Sequence, residues 1–132
     1  MKETNFIRQN IKKWENGKLS RLFKRDGLCG TYITKDKYGE INKRTSYYKD
    51  KRHGEHKKWY CGRLRIRCYY INDNLHGAYE VFYLERGGLR EYRNYNMGIM
   101  HGEYRKWKNY RLIVSRKYVN GKIYLNDVIE NG

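Results

Sequence analysis

The sequence predicts an all-β fold: an elongated single antiparallel sheet of consecutive β-hairpin repeats, each about 23 residues long. Three observations predict it. A His-Gly step recurs at His53-Gly54, His76-Gly77 and His101-Gly102, at intervals of 23 and 25 residues, with Cys29-Gly30 one interval of 24 earlier. Turn formers and aromatic residues keep register with that step. Proline is absent, as suits a chain of paired strands, because proline cannot donate to a strand ladder.

The columns define the elements. Three residues before each His or Cys stand Asp26, Asp50, Asp73 and Gly98, with Gly121 continuing the series. Six before stand Phe23, Tyr47, Tyr70 and Tyr95, then Tyr118. Three after come Tyr32, His56, Tyr79 and Tyr104, and six after come Trp59, Phe82 and Trp107, with Lys35 as the exception. A Gly-x-Leu or Gly-x-Ile step closes each first strand: Gly17 to Leu19, Gly39 to Ile41, Gly62 to Leu64 and Gly87 to Leu89. In the fifth copy Tyr110-Arg111-Leu112 lacks the glycine.

One unit shows the logic. A first strand is expected from Gly54 to Tyr60, a turn at Cys61-Gly62, a second strand from Arg63 to Ile71, and a reversal over Asn72 to Leu75. Glycine, asparagine and aspartate supply the positive φ angles of tight reversals. Gly30, Gly54, Gly77 and Gly102 are accordingly expected to be structural turn residues. On the second strand Leu64, Ile66, Cys68 and Tyr70 alternate with Arg63, Arg65, Arg67 and Tyr69, the period of two of a strand with distinct faces. Six residues separate the Leu and Tyr columns, which places both on one face. The Trp59, Phe82, Trp107 column has the opposite parity to Tyr32, His56, Tyr79 and Tyr104, so aromatics are expected on both faces.

The expected organisation is one domain over residues 1–132. A worn N-terminal repeat covers about 8–28, with Trp14 in the tryptophan column and Gln9-Asn10 in place of His-Gly. Repeats follow at about 29–52, 53–75, 76–100 and 101–121, then a cap at 122–132 whose Ile123, Leu125, Val128 and Ile129 are apolar. End repeats of such arrays need covering.

Composition narrows the function classes. Charged residues are 33% of the chain and the mean hydropathy is −1.11, a profile that leans toward disorder. Aromatics at 16%, most of them tyrosine, oppose it, since tyrosine packs a ring while its hydroxyl faces water. The net charge of +16 is uneven: +12 over residues 1–66 and +4 over 67–132. Such a chain attracts polyanions: nucleic acid, anionic lipid and acidic proteins. Met1 to Leu22 holds no apolar run and no stretch is long enough to cross a bilayer. Cys29, Cys61 and Cys68 read as free thiols of a reducing compartment. The expected location is intracellular, neither secreted nor transmembrane: cytoplasm, or virion if the source is viral.

The columns resemble MORN repeats (membrane occupation and recognition nexus). The nearest form has a tyrosine, a turn, then His-Gly-Glu-Tyr, an aromatic pair and Asn-Gly-x-Leu. Residues 95–107, Tyr-Asn-Met-Gly-Ile-Met-His-Gly-Glu-Tyr-Arg-Lys-Trp, match best, and the resemblance spans roughly residues 8–125. It implies the long sheet of hairpins and a non-enzymatic structural or interaction module. Similar proteins act as scaffolds, dimerisation rods and proposed lipid-binding modules. Some bacterial ones carry an antitoxin label, and many occur in large DNA viruses of amoebae. A virion or virus-factory component is one version of this expectation. Abundant Lys, Asn, Tyr and Ile beside a single alanine agree with an AT-rich coding genome.

The chemistry of individual residues points the same way. Equivalent histidines in successive hairpins stand two strands, about 9.6 Å, apart. They cannot share a metal, whose nitrogens lie about 2 Å from it. Histidines bonding to local backbone are expected instead, with no metal and no cofactor. No serine lies in Gly-x-Ser-x-Gly, and Gly87-Gly88 precedes a strand where a phosphate loop needs a helix. No enzyme activity is expected. Two surfaces remain. Arg63, Arg65 and Arg67 form a candidate stripe for an anionic partner, set against the plainer role of keeping the surface solvated. Trp59, Phe82 and Trp107 form a candidate aromatic docking face. A protein partner leads, with self-association included. Nucleic acid is the alternative, and a membrane surface is a third reading without an amphipathic helix or lipid anchor behind it.

Overall fold

The computed structural model describes residues 7–13, 15 and 19–128. Trp14, Gly17 and the segment 129–132 lie outside the described residues. The described chain is strands and turns only, in one open antiparallel sheet of consecutive hairpins. Its strands are β1 (Ile7–Lys13), β2 (Leu19–Asp26), β3 (Cys29–Lys35), β4 (Ile41–Tyr48), β5 (Lys51–Tyr60), β6 (Arg63–Ile71), β7 (Asn74–Leu75), β8 (Gly77–Phe82), β9 (Leu89–Asn96), β10 (Ile99–Lys108), β11 (Arg111–Val119) and β12 (Lys122–Val128). They lie side by side in chain order, except that the two-residue β7 pairs only with β6, which then pairs with β8. Eleven strands at about 4.8 Å spacing make a sheet on the order of 50 Å across.

The sheet has two edges of turns. One edge carries tight reversals at Lys49-Asp50, Asn72-Asp73, Met97-Gly98 and Asn120-Gly121, where both central residues have positive φ. That is the type I′ geometry whose twist matches the flanking strands. These turns are stitched to one another. The N–H groups of Lys49, Asp73, Gly98 and Gly121 donate to the carbonyls of Leu28, Arg52, Leu75 and Met100 at 2.7–2.9 Å, each reaching back about one repeat. Arg25–Asp50 (2.9 Å) and Arg52–Asp73 (3.2 Å) add ion pairs along the same edge.

The other edge holds Cys61-Gly62, Asn109-Tyr110 and the longer loops at 36–40 and 83–88. Beside it every hairpin slips register by one residue. The slip falls at Lys12/Lys13, Thr34/Lys35, Lys58/Trp59, Val81/Phe82 and Lys106/Trp107. The pairings Trp59↔Leu64 and Lys58↔Ile66 leave Arg65 as the extra residue, and Arg90 and Ile113 hold the equivalent places in the next two hairpins.

This bulge corrects the face assignment. Cross-strand partners share a face. His56 pairs with Cys68 and Gly54 with Tyr70, whereas Leu64 pairs with Trp59, whose parity is opposite to that of His56. The Leu column therefore lies with the Trp/Phe column, on the face opposite the Tyr column. An unbroken alternation counts the bulge residue as an ordinary one and so reverses the result.

The tyrosine face is where packing is tightest. Edge-to-face ring pairs recur at His56–Tyr70 (5.8 Å), Tyr79–Tyr95 (6.1 Å) and Tyr104–Tyr118 (6.2 Å), and Phe23–Tyr47 (5.8 Å) joins β2 to β4. Such pairs contribute about 0.5–1.5 kcal/mol each beyond area burial. Arg52 stacks on Tyr70 at 4.4 Å, and Arg93 lies between Tyr79 (5.6 Å) and Tyr104 (6.0 Å). Cys68 and Thr45, 1% and 3% exposed, are the most deeply buried side chains described, and both are small. The packing comes from half-covered rings on one layer.

Candidate functional site

The glycines of the His-Gly step are strand residues and not turn residues. Gly30 lies in β3, Gly54 in β5, Gly77 at the start of β8 and Gly102 in β10. Each faces an aromatic across the ladder: Gly30↔Tyr47, Gly54↔Tyr70, Gly77↔Tyr95 and Gly102↔Tyr118. Gly54, Gly77 and Gly102 have φ of 99°, 82° and 97°, which other residues rarely adopt. Gly30 has no positive φ, but a Cβ there would meet the Phe23 ring at 2.9 Å. The glycine column thus makes kinks and ring clearances, while the reversals belong to the neighbouring I′ turns.

Each repeat histidine bonds backbone of its own hairpin. The N–H groups of Asn72, Met97 and Asn120 donate to Nδ1 of His53 (3.4 Å), His76 (3.1 Å) and His101 (3.2 Å). These donors are the first residues of the positive-φ turns, so the histidine caps the reversal that leads into the next repeat. His56 belongs to another column. Its Nδ1 lies 2.7 Å from the Thr45 hydroxyl, beside Cys68. Burial, helped by Lys58, Lys43 and Arg52, lowers its pKa to about 4. Burial also pushes the Cys68 thiol up to about 11, so the thiol is protonated and shielded at neutral pH. Histidine and cysteine are adjacent here, but the thiol is held protonated and an imidazole of such low pKa is a weak base toward it. Among the described residues no group of three or more His, Cys, Asp or Glu side chains is placed to hold a metal ion.

Trp59, Phe82 and Trp107 come together as one ladder on the face opposite the tyrosines. They pair across the hairpins with Leu64, Leu89 and Leu112 and all six are half-buried. Ion pairs border them on the same face: Lys57–Glu55 (3.1 Å), Arg67–Glu80 (2.9 Å) and Arg105–Glu103 (3.0 Å). Arg67 also lies over the Phe82 ring at 5.8 Å. No second layer of described chain covers this ladder.

The three arginines are not brought together as an open stripe. Arg67 clasps Glu80 through Nε (3.0 Å) and Nη2 (3.2 Å), which raises its pKa. Arg65 is the bulge residue and donates to the Phe82 carbonyl at 2.6 Å. Arg63 donates to the carbonyls of Leu84 and Glu85. Two of the three therefore hold the end of β8 and the loop that follows it.

Sequence reasoning missed a groove on this bulge edge. Its volume is about 500 Å3 and its walls are Tyr60, Tyr83 and Tyr110 with Arg65, Arg90, Leu84, Glu85 and Asn109. Tyr83 and Tyr110 stack at 4.2 Å with 30° between their planes, and the Tyr110 N–H donates to the Tyr83 hydroxyl at 3.2 Å. The signal was present in the sequence: Tyr60 and Tyr83 each follow the Trp/Phe column, and Arg65 and Arg90 each follow the Leu column. No protein-family model, no curated protein and no solved structure matches the chain.

Proposed function

We propose that the chain is a non-enzymatic interaction scaffold of the MORN type, which docks a protein partner through the Trp59, Phe82 and Trp107 ladder. The observation that carries this reading is a single-layer sheet with paired apolar side chains along a face that no described part of the chain covers. Contiguous apolar surface of this kind, rimmed by ion pairs, is typical of a partner interface. Tryptophan is also among the side chains that most often carry binding energy when a partner desolvates them. A structural role in a virion or virus factory is one setting for such a scaffold.

The test is capture from the native source by the wild type and by the Trp59→Ala, Trp107→Ala double variant, followed by mass spectrometry. A partner held by the wild type and by a Tyr124→Ala control, but lost from the double variant, supports docking on this face. Equal recovery on the double variant would refute it.

A further inference from the structure

We propose that the groove at the bulge edge binds single-stranded nucleic acid, with bases stacked on Tyr60 and Tyr110 and backbone phosphates held by Arg65 and Arg90. This goes beyond docking on the tryptophan ladder and uses different residues.

The geometry supplies both halves of the recognition. Tyr60 and Tyr110 are 64% and 45% exposed, and both line the one groove. Tyr110 is held in place by its stack on Tyr83 and by the backbone bond to the Tyr83 hydroxyl, so its ring is a fixed platform. Bases of any identity stack on such platforms. The groove, at about 500 Å3, lies in the size range of sites that hold small-molecule-sized groups.

The cations are placed by the fold. Arg65 and Arg90 occupy the same bulge position in consecutive hairpins, 25 residues apart, and both line the groove. A bulge re-aims its extra side chain relative to a regular strand. Arg65 spends one N–H on the Phe82 carbonyl, and Arg90 has no ion-pair partner among the described residues. The turns around them add Arg63, Arg86, Lys108 and Arg111 against Glu85 and Glu40, whose carboxylate lies at the Gly62 turn, while the acids of the opposite edge, Asp50 and Asp73, are paired with Arg25 and Arg52. Positive charge beside exposed rings fits a strand with exposed bases. A duplex presents phosphates but keeps its base faces stacked.

The experiment separates stacking from charge attraction. A fluorescein-labelled oligodeoxythymidylate and an abasic oligomer of equal length are titrated by anisotropy at several salt concentrations. The wild type should bind the base-bearing strand at least about 5-fold more tightly than the abasic one, the low end of one base stack. Tyr60→Ala and Tyr110→Ala should each reduce that preference while leaving abasic binding unchanged, which also reports that the variants are folded. Arg65→Gln and Arg90→Gln should weaken both strands and flatten the salt slope by about 0.7 each. Equal wild-type affinity for the two strands, or tyrosine variants that keep the preference, would overturn the proposal and leave only attraction by net charge. Thymidine monophosphate displacing the oligomer at equal concentration would also overturn it, in favour of a mononucleotide site. Loss of tryptophan-ladder docking with an intact base preference leaves this proposal standing, so the two readings fail separately.

Discussion

Gly77 offers a clean test of how the repeat is held. Its φ is +82°, and a Cβ added there would meet nothing within 4 Å. Gly77→Ala therefore isolates backbone strain, which costs about 1–3 kcal/mol for a residue held in a sparsely populated region. Gly102 has φ +97°, and its added Cβ would lie 2.9 Å from Asn94 Nδ2, which donates to the His101 carbonyl at 2.8 Å. Gly102→Ala should lose that bond as well, adding about 1 kcal/mol. His76→Ala removes only the acceptor of the exposed Met97 N–H, which water can replace, for about 0.5 kcal/mol. With a urea slope of about 2 kcal/mol/M, the midpoint should fall by about 0.5–1.5 M for Gly77→Ala and by about 0.5 M more for Gly102→Ala. His76→Ala should shift it by about 0.25 M. Tryptophan fluorescence and far-UV circular dichroism in urea measure all three. An unshifted Gly77→Ala, or a His76→Ala loss as large as it, would refute the reasoning.

Further outcomes follow from the same contacts. His56 titrates at about 4 in the fold against an ordinary 6.5, so the unfolded chain binds more protons between those values. The resulting stability is complete above 6.5 and is lost as pH falls toward 4, at no more than about 1.4 kcal/mol per pH unit, and His56→Gln should flatten that part of a stability–pH curve. Cys29 and Cys61 are exposed and Cys68 is buried, so iodoacetamide at neutral pH should label two thiols in the native protein and three in urea, counted by mass spectrometry. Replacing Arg63, Arg65 and Arg67 together with glutamine should flatten the salt slope of single-strand binding by about 0.7, because only Arg65 lines the groove. A change of about two units, the value for three open phosphate contacts, would show that the stripe acts as a whole.

The sequence by itself determined the architecture, because a hairpin repeat writes its turns and ring columns locally. The strand expected over Arg63–Ile71 has those bounds, and β5 ends at Tyr60 as expected, beginning three residues earlier, at Lys51. The Asn72-Asp73 reversal also lies where composition placed it. Only the tertiary structure decided which face each column takes. The slip at Lys58/Trp59 depends on how two strands pair, and one extra residue reverses a period-two reading beyond it. That slip moved Leu64 beside Trp59 and set Arg65 apart from Arg67. The groove was only half legible: Tyr60, Tyr83, Arg65 and Arg90 each follow a repeat column, but Tyr83 and Tyr110 are 27 residues apart in the chain, and only the stacking of successive hairpins brings their rings to 4.2 Å. Local residue preferences specify the hairpin, while the register between neighbours decides which side chains meet.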